Sequence, residues 1–265
     1  MSVQIHPTAI VSPKAKIGRD VKIGPYTVIE DNVVLGDRVE VGTHVHICGW
    51  TEIGKETKIF TGAVLGSAPQ DLKFSGERTL LKIGERNIIR EYVMINPGTS
   101  ASGKTVIGDE NLLMAYVHVA HDCRIGNGCI IANVGTLAGH VEIGDKVVVG
   151  GLTAIHQFVR IGDYAILGGC SKVVQDVPPY AMVDGHPARI YSINRVGLKR
   201  AGFDSVDIRT VKQAYDLLFF SGHSRPVAIK LAKKMFPDNP FIQHILNFIS
   251  SSRRGICRAG KGVLD

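Results

Sequence analysis

The stretch AYVHVAHDC, residues 115–123, sets two imidazoles three residues apart, His118 and His121, with a carboxylate, Asp122, directly after the second. Such a group can do two kinds of chemistry. It can hold zinc, which needs three or four N, O or S donors converging at about 2.0–2.3 Å. Or it can move a proton, because imidazole titrates near neutrality and a neighbouring carboxylate can orient it. Two more histidines follow, His140 and His156, and Gly139 precedes the first of them. A glycine lets a backbone N–H approach a reacting centre closely. Acyl transfer needs such a base together with a donor for the tetrahedral oxyanion.

Whether these groups meet depends on the backbone that carries them. Every sixth residue from Ile5 to Leu65 is aliphatic, and the series resumes over Ile83, Ile89 and Ile95 and again from Ile107 to Val173. Four residues after each aliphatic from Ile5 to Ile59 stands a small or β-branched residue, as in Ala9, Val21, Thr27 and Ala63. Neither a helix nor an alternating strand has a period of six. The pattern predicts an all-β fold, a parallel β-helix of hexapeptide repeats, with three hexapeptides per triangular coil and coils stacked about 4.8 Å apart. Positions 119, 137, 155 and 173 then fall on one edge. His118, His121, His140 and His156 lie near that edge in three successive coils, with Asn96 at the foot of the column. Two polar segments, 67–82 and 97–105, break the period and are expected to leave the prism as loops, where function usually sits on a rigid scaffold. A column spread over three coils disperses its imidazoles by about 5–10 Å, which argues against a metal. No serine or cysteine stands on this edge as a covalent nucleophile, so direct transfer to a hydroxyl or amine is the simpler expectation. Cys123 and Cys129 occupy small core positions and read as buried hydrophobes.

After Val173 the period ends. A proline-rich exit, 175–190, leads to segments with helical spacing: Val211, Ala214, Tyr215 and Leu218, then Ala228, Leu231, Ala232 and Met235, then Ile242, Ile245 and Ile249. The division expected is a β-helix over 1–190 and a small α-helical domain over 191–265, closing an otherwise open prism end. Charge follows this division. Residues 186–265 carry fourteen Lys and Arg against five Asp, while the rest carries seventeen against nineteen Asp and Glu. The basic segment lacks the aromatic interleaving or groove-binding motif of a nucleic-acid binder. No window approaches the roughly 18 apolar residues of a spanning helix, and the N-terminus lacks the basic and apolar regions of a signal peptide. The five cysteines form no CxxC or disulfide pattern. The expectation is a cytoplasmic enzyme with no membrane insertion, cofactor or metal.

Whole strings go further than the period. GSAPQDLKF, NLLMAYVHVAHDC, TLAGHVEIGD, GGLTAIHQFVRIGD, GGCSKVVQDVPPY and NRVGLKRAGF closely resemble the UDP-N-acetylglucosamine acyltransferases, which take the first step of lipid A synthesis. The resemblance covers nearly the whole chain and weakens after about residue 220. It implies a left-handed β-helix, a homotrimer with sites between subunits, and transfer of a 3-hydroxyacyl chain from acyl carrier protein to the glucosamine 3-position of UDP-N-acetylglucosamine. It implies His121 as general base beside Asp122, and the Gly139 N–H as oxyanion donor. Gln70, Asp71, Lys73 and His118 match residues that hold the sugar and phosphates. His140 and His156 match contacts in the same cleft, Gln157, Asn194 and Arg200 the nucleotide end, and Gly169 a position that helps set acyl length. The basic C-terminal segment is expected to dock the carrier protein. Asn96 stands where the family has histidine and is expected to face the acceptor sugar as a neutral amide. Ala201 and Val196 replace an arginine and an acidic residue of the family pattern. The related N-acyltransferases carry an N-terminal uridine-binding domain, and a repeat that starts at Ile5 favours the O-acyltransferase.

Overall fold

The computed structural model describes residues 2–260. The hexapeptides form two- to four-residue strands from Gln4–Ile5 to Lys172–Val173, each followed by a turn. These collect into three sheets, here A, B and C, in which every third hexapeptide strand of the sequence is a neighbour; with a later hairpin in sheet A they hold 11, 9 and 8 strands. The chain is thus a left-handed parallel β-helix. Register is direct, as in Val119↔Leu137, Leu137↔Ile155 and Ile155↔Val173 in sheet B. The sixth-position aliphatics point into the prism, and from Ile23 onward they are at most 4% exposed.

The turns have a fixed conformation. In most coils the third residue after the aliphatic adopts positive φ, between 54° and 71°, at positions from Asp20 to Cys170. This left-handed conformation costs an L-residue roughly 1–2 kcal/mol, least for Gly, Asn and Asp. Parallel ladder bonds and the stacked core hold it in place at residues as unsuited as Val134.

Both loops leave the same corner, between sheets B and C. The first runs from the strand Val64–Leu65 to Leu80–Ile83, the second from Met94–Ile95 to Lys104–Ile107. Their last residues, expected to lie outside the prism, already belong to sheet C.

The end of the prism differs from expectation. The proline-rich exit becomes an antiparallel hairpin, Ala181–Gly185 with Ala188–Ile193, added to sheet A, so the sheet runs across residue 190. Helices α1 (Arg195–Arg200), α2 (Ser205–Tyr215), α3 (Arg225–Met235) and α4 (Pro240–Ser250) follow, with a π-helical segment, Asp216–Phe220, after α2. Pro226 and Pro240 sit in the first turn of α3 and α4, where the missing N–H costs nothing. The fully buried Tyr215 donates its hydroxyl to the Pro179 carbonyl and anchors α2 to the β-helix. The chain then returns, bridging Ile256 to Asp176 and Ala259 to Ile190. Among the described residues no helix is long and apolar enough to cross a membrane.

Candidate active site

Three coils meet at the B–C corner above the two loops. Eighteen-residue spacing places His121 below Gly139 and Gln157, and Asp122 below His140 and Phe158. Asp122, His140 and Phe158 all take the left-handed turn conformation, with φ of 62°, 62° and 65°. That backbone brings these side chains into one column at the corner: the His140 ring stacks on Phe158 at 4.5 Å and meets the His121 ring edge-on at 5.3 Å.

Asp122 is the fixed point. Its side chain is fully buried, and it accepts hydrogen bonds from the Thr99 N–H (3.0 Å), the Thr99 hydroxyl (2.8 Å), the Ser102 hydroxyl and His121 Nδ1 (2.7 Å). Burial works to raise the carboxyl's pKa. The bonds from Ser102, His121 and Thr99 outweigh it and hold the group below its ordinary value. An ionised carboxylate can only accept, so Nδ1 of His121 carries a proton, and in the neutral imidazole Nε2 has the lone pair. Nε2 lies 4.0 Å from Asp71 Oδ2, on the first loop.

Gly139 is required by His121. A Cβ at residue 139 would stand 2.6 Å from His121 Cε1 and 2.7 Å from Nε2, so any side chain there pushes the imidazole aside. The His140 N–H donates to the His121 carbonyl at 3.0 Å. The Gly139 N–H has no protein acceptor among the described residues and remains available beside the ring.

The loops hold one another. Glu77 accepts the Ser100 N–H at 3.0 Å, joining the first loop to the second. Asp71 accepts the Lys73 N–H at 3.0 Å, and Gln70 Nε2 reaches Met94 Sδ at 3.4 Å. His118 lies next to Met94 on the outer face of sheet B, half-buried, and burial lowers its pKa. Lys73, His156 and Gln157 are exposed.

Asn96 is a correction. It does not face outward toward an acceptor: it is 1% exposed and its amide donates to the Ser67 and Ala68 carbonyls at 3.0 and 3.2 Å. It fastens the root of the first loop.

The remaining residues are not brought to this corner. Gly169 lies at the A–B corner, packed over Gly151. Asn194 caps α1, accepting the Gly197 N–H at 2.9 Å and donating to the Tyr164 carbonyl at 2.8 Å, at the C–A corner. Arg200, exposed, ends the same helix.

Three contributors escaped the sequence reading: Thr99, Ser102 and Phe158. The first two lie in the polar 97–105 segment already singled out, but nothing in that string says which residues turn inward. Phe158 was detectable as the residue 18 after His140. A cavity of about 770 Å³ also opens beside Asp122, His140 and Phe158, with Arg124, Arg253 and Arg254 in its wall. It links the corner to the basic C-terminal segment.

Comparison with known proteins decides the family. The second-domain model of UDP-N-acetylglucosamine O-acyltransferase matches residues 176–257, and a six-repeat bacterial transferase hexapeptide model matches 104–135. A relative from Thermodesulfovibrio yellowstonii, an acyl-[acyl-carrier-protein]--UDP-N-acetylglucosamine O-acyltransferase, is 52% identical over 96% of this chain and 99% of its own. The chain belongs to the UDP-N-acetylglucosamine O-acyltransferase family. A member from Helicobacter pylori is 51% identical over 96% of this chain and 94% of its own. A crystal structure of a UDP-N-acetylglucosamine acyltransferase superposes with a TM-score of 0.93 at 49% identity, covering 97% of this chain and 100% of that one. The family resemblance read from the HVAHDC and AIHQF strings is thereby borne out, and the chain is an acyltransferase.

Proposed function

We propose that the chain transfers a 3-hydroxyacyl group from acyl carrier protein to the 3-hydroxyl of the glucosamine in UDP-N-acetylglucosamine, the first step of lipid A synthesis, with His121 as general base. The observation that carries the mechanism is the buried Asp122 carboxylate, which binds His121 Nδ1 at 2.7 Å and leaves Nε2 to accept a proton. Nε2 removes the proton of the sugar hydroxyl as its oxygen attacks the thioester carbonyl. The Gly139 N–H stabilises the oxyanion that forms. Collapse of the intermediate breaks the C–S bond, and the imidazolium returns its proton to the leaving thiolate. The Thr99 and Ser102 hydrogen bonds keep Asp122 charged, which stabilises the imidazolium between the two proton transfers.

The substrate reading rests on the relatives' activity and on chemistry at the corner. Asp71 faces His121 across 4.0 Å, and Gln70 and Lys73 of the same loop, with His118 on sheet B, offer polar groups suited to a sugar and its phosphates. The arginine-walled cavity suits an acidic carrier protein. Gly169, Asn194 and Arg200 occupy the two other corners of the prism. A site that uses them with His121 must be shared between copies, and this supports a homotrimer. The five free cysteines fit a cytoplasmic enzyme.

The direct test is to incubate the protein with a panel of acyl-carrier thioesters, with acetyl-CoA, and with the 3-hydroxy and 3-amino sugar nucleotides, and to weigh the products. The reading expects a 3-O-(3-hydroxyacyl) ester from the carrier thioester. Transfer from acetyl-CoA alone, or no acylated nucleotide from any donor, would overturn it.

A further inference from the structure

A second cluster of ligating side chains lies three coils below the candidate active site, at the same corner. Glu30 and Cys48 are eighteen residues apart and occupy the same position in successive coils. Their backbones are in ladder register: the Glu30 N–H bonds the Ile47 carbonyl at 2.9 Å and the Cys48 N–H bonds the Leu65 carbonyl at 2.9 Å. His46 precedes Cys48 by two, so strand alternation turns both toward the outer face while Ile47 points inward. The outcome is a mixed donor set, with His46 Nε2 3.0 Å from Glu30 Oε1 and the three ligand atoms all within 4.8 Å of one another. Cys48 is 6% exposed, and its thiol has only a weak contact, 3.6 Å, to the Leu65 carbonyl.

We propose that Glu30, His46 and Cys48 form a three-residue site for a borderline divalent cation, zinc in the first instance, with a fourth position open to water. The donor set matches the ion. Zinc takes nitrogen and carboxylate oxygen at about 2.0–2.2 Å and thiolate at about 2.3 Å in a tetrahedron, which sets donors roughly 3.2–3.8 Å apart. The His46–Glu30 pair is already near that separation, and side-chain rotation alone closes the rest. The floor that carries the donors is rigid, because all three residues lie on or next to ladder-bonded strands. Binding replaces the thiol proton, which leaves to solvent, with the metal–sulfur bond. Because the ligand is the thiolate, binding is coupled to loss of that proton, and affinity rises with pH.

The position gives the site a consequence. A cavity of about 510 Å³ opens directly over the three donors, and its roof is the first loop, including Ser67, Ala68, Phe74 and Glu77. That loop carries Asp71, which faces His121. A bound ion would clip two coils together and order the loop from below. The other ligating cluster, His121, Asp122 and His140, is different in kind. Its carboxylate is already saturated by four hydrogen bonds and belongs to the proton-transfer site.

The test uses the reduced, metal-stripped full chain and cobalt(II) chloride as probe. The expected result is a thiolate-to-cobalt charge-transfer band with tetrahedral d–d transitions, saturating at one ion per chain and displaced by zinc. About one proton should be released per ion at neutral pH. Cys48→Ser should abolish the charge-transfer band, and His46→Gln and Glu30→Gln, both at partly exposed positions, should each weaken binding at least tenfold. Cys170→Ser, which removes the exposed thiol, should change nothing. Circular dichroism of each variant separates loss of the site from loss of fold. Absence of the band in folded wild-type protein, or its persistence in Cys48→Ser, overturns the proposal. Neither result bears on acyl transfer, which is measured separately.

Discussion

The A–B and B–C corners are built by the same repeat with the same backbone, yet only one of them collects reactive groups. At the A–B corner the left-handed positions hold Tyr26, His44, Gly62, Tyr92, Tyr116, Val134, Leu152 and Cys170, whose thiol is exposed and joins no ligating cluster among the described residues. Tyr26 stacks on His44 at 5.0 Å and Tyr92 on Tyr116 at 5.2 Å. No long loop interrupts this edge, and its aromatic side chains stack on counterparts one coil away. At the B–C corner the same position holds Asp122, His140 and Phe158, and two loops enter immediately below. Thr99 and Ser102 from one loop fix Asp122, and Asp71 from the other faces His121. The repeat provides a regular set of outward-turned positions. The insertions supply the partners that turn one such position into a polarised dyad.

One substituent can be tried at both corners. Asp122→Asn preserves shape and the left-handed turn but offers an N–H to His121 Nδ1. The imidazole must then accept there and carry its proton on Nε2, the reacting nitrogen. The expected loss is about 10³–10⁴-fold in kcat, the scale of a carboxylate lost from a comparable dyad, with an unchanged circular dichroism spectrum. A loss of less than tenfold would remove Asp122 from the mechanism.

Gly139→Ala tests the close approach across coils. The three atoms nearest the new methyl all belong to the His121 ring, so the methyl displaces the imidazole. Misplacing a reacting group by about 1 Å costs on the order of 10²-fold, so kcat should fall by about that much while Tm stays within a few degrees. A large fall in Tm would instead mean that the corner cannot yield at all.

Ser102→Ala separates the loop's hold on Asp122 from the dyad itself. Asp122 has a depressed folded-state pKa. Its stabilising contribution is therefore present above the unfolded value near 4 and is lost as pH falls through the folded value. Removing one of the bonds that depress it should shift the acid-unfolding midpoint upward, with kcat reduced about tenfold or less. An unmoved midpoint would show that Ser102 does not hold the charge.

The smallest effect is expected at the other corner. Val134→Asn relieves a β-branched residue at φ 62° that is 40% exposed. Asparagine tolerates this conformation, so stability should rise by up to about 1 kcal/mol, or about 2–4 °C in Tm for a chain of this size, with kcat unchanged. Destabilisation would show that Val134 contributes packing at the edge that outweighs its strain.

The sequence made the prism legible because the aliphatic series has one residue per hexapeptide and one meaning. The breaks in the period marked both loops, and the eighteen-residue count set Asn96, next to the second loop, at the foot of the His121 column. The left-handed turn position was equally periodic, but its occupants range from Asp and Gly to Tyr and Val, so composition hid it. Thr99 and Ser102 were not legible because an irregular loop has no period to assign inward and outward faces. Asn96 was misjudged for a related reason: its position in the column was right, but only the path of the first loop shows that its amide is used to fasten Ser67 and Ala68. The return of residues 251–260 to the β-helix, through bridges at Asp176 and Ile190, left no local pattern at all.

The most direct test of the account is the turnover of His121→Ala, measured beside wild type with a 3-hydroxyacyl-carrier thioester and UDP-N-acetylglucosamine. General-base catalysis contributes about 10²–10⁴-fold, and no other side chain at this corner has both a free imidazole nitrogen and a hydrogen-bonded carboxylate behind it. The account predicts a loss of at least that scale, with circular dichroism and oligomeric size unchanged. A folded variant retaining more than about a tenth of the wild-type rate would contradict it.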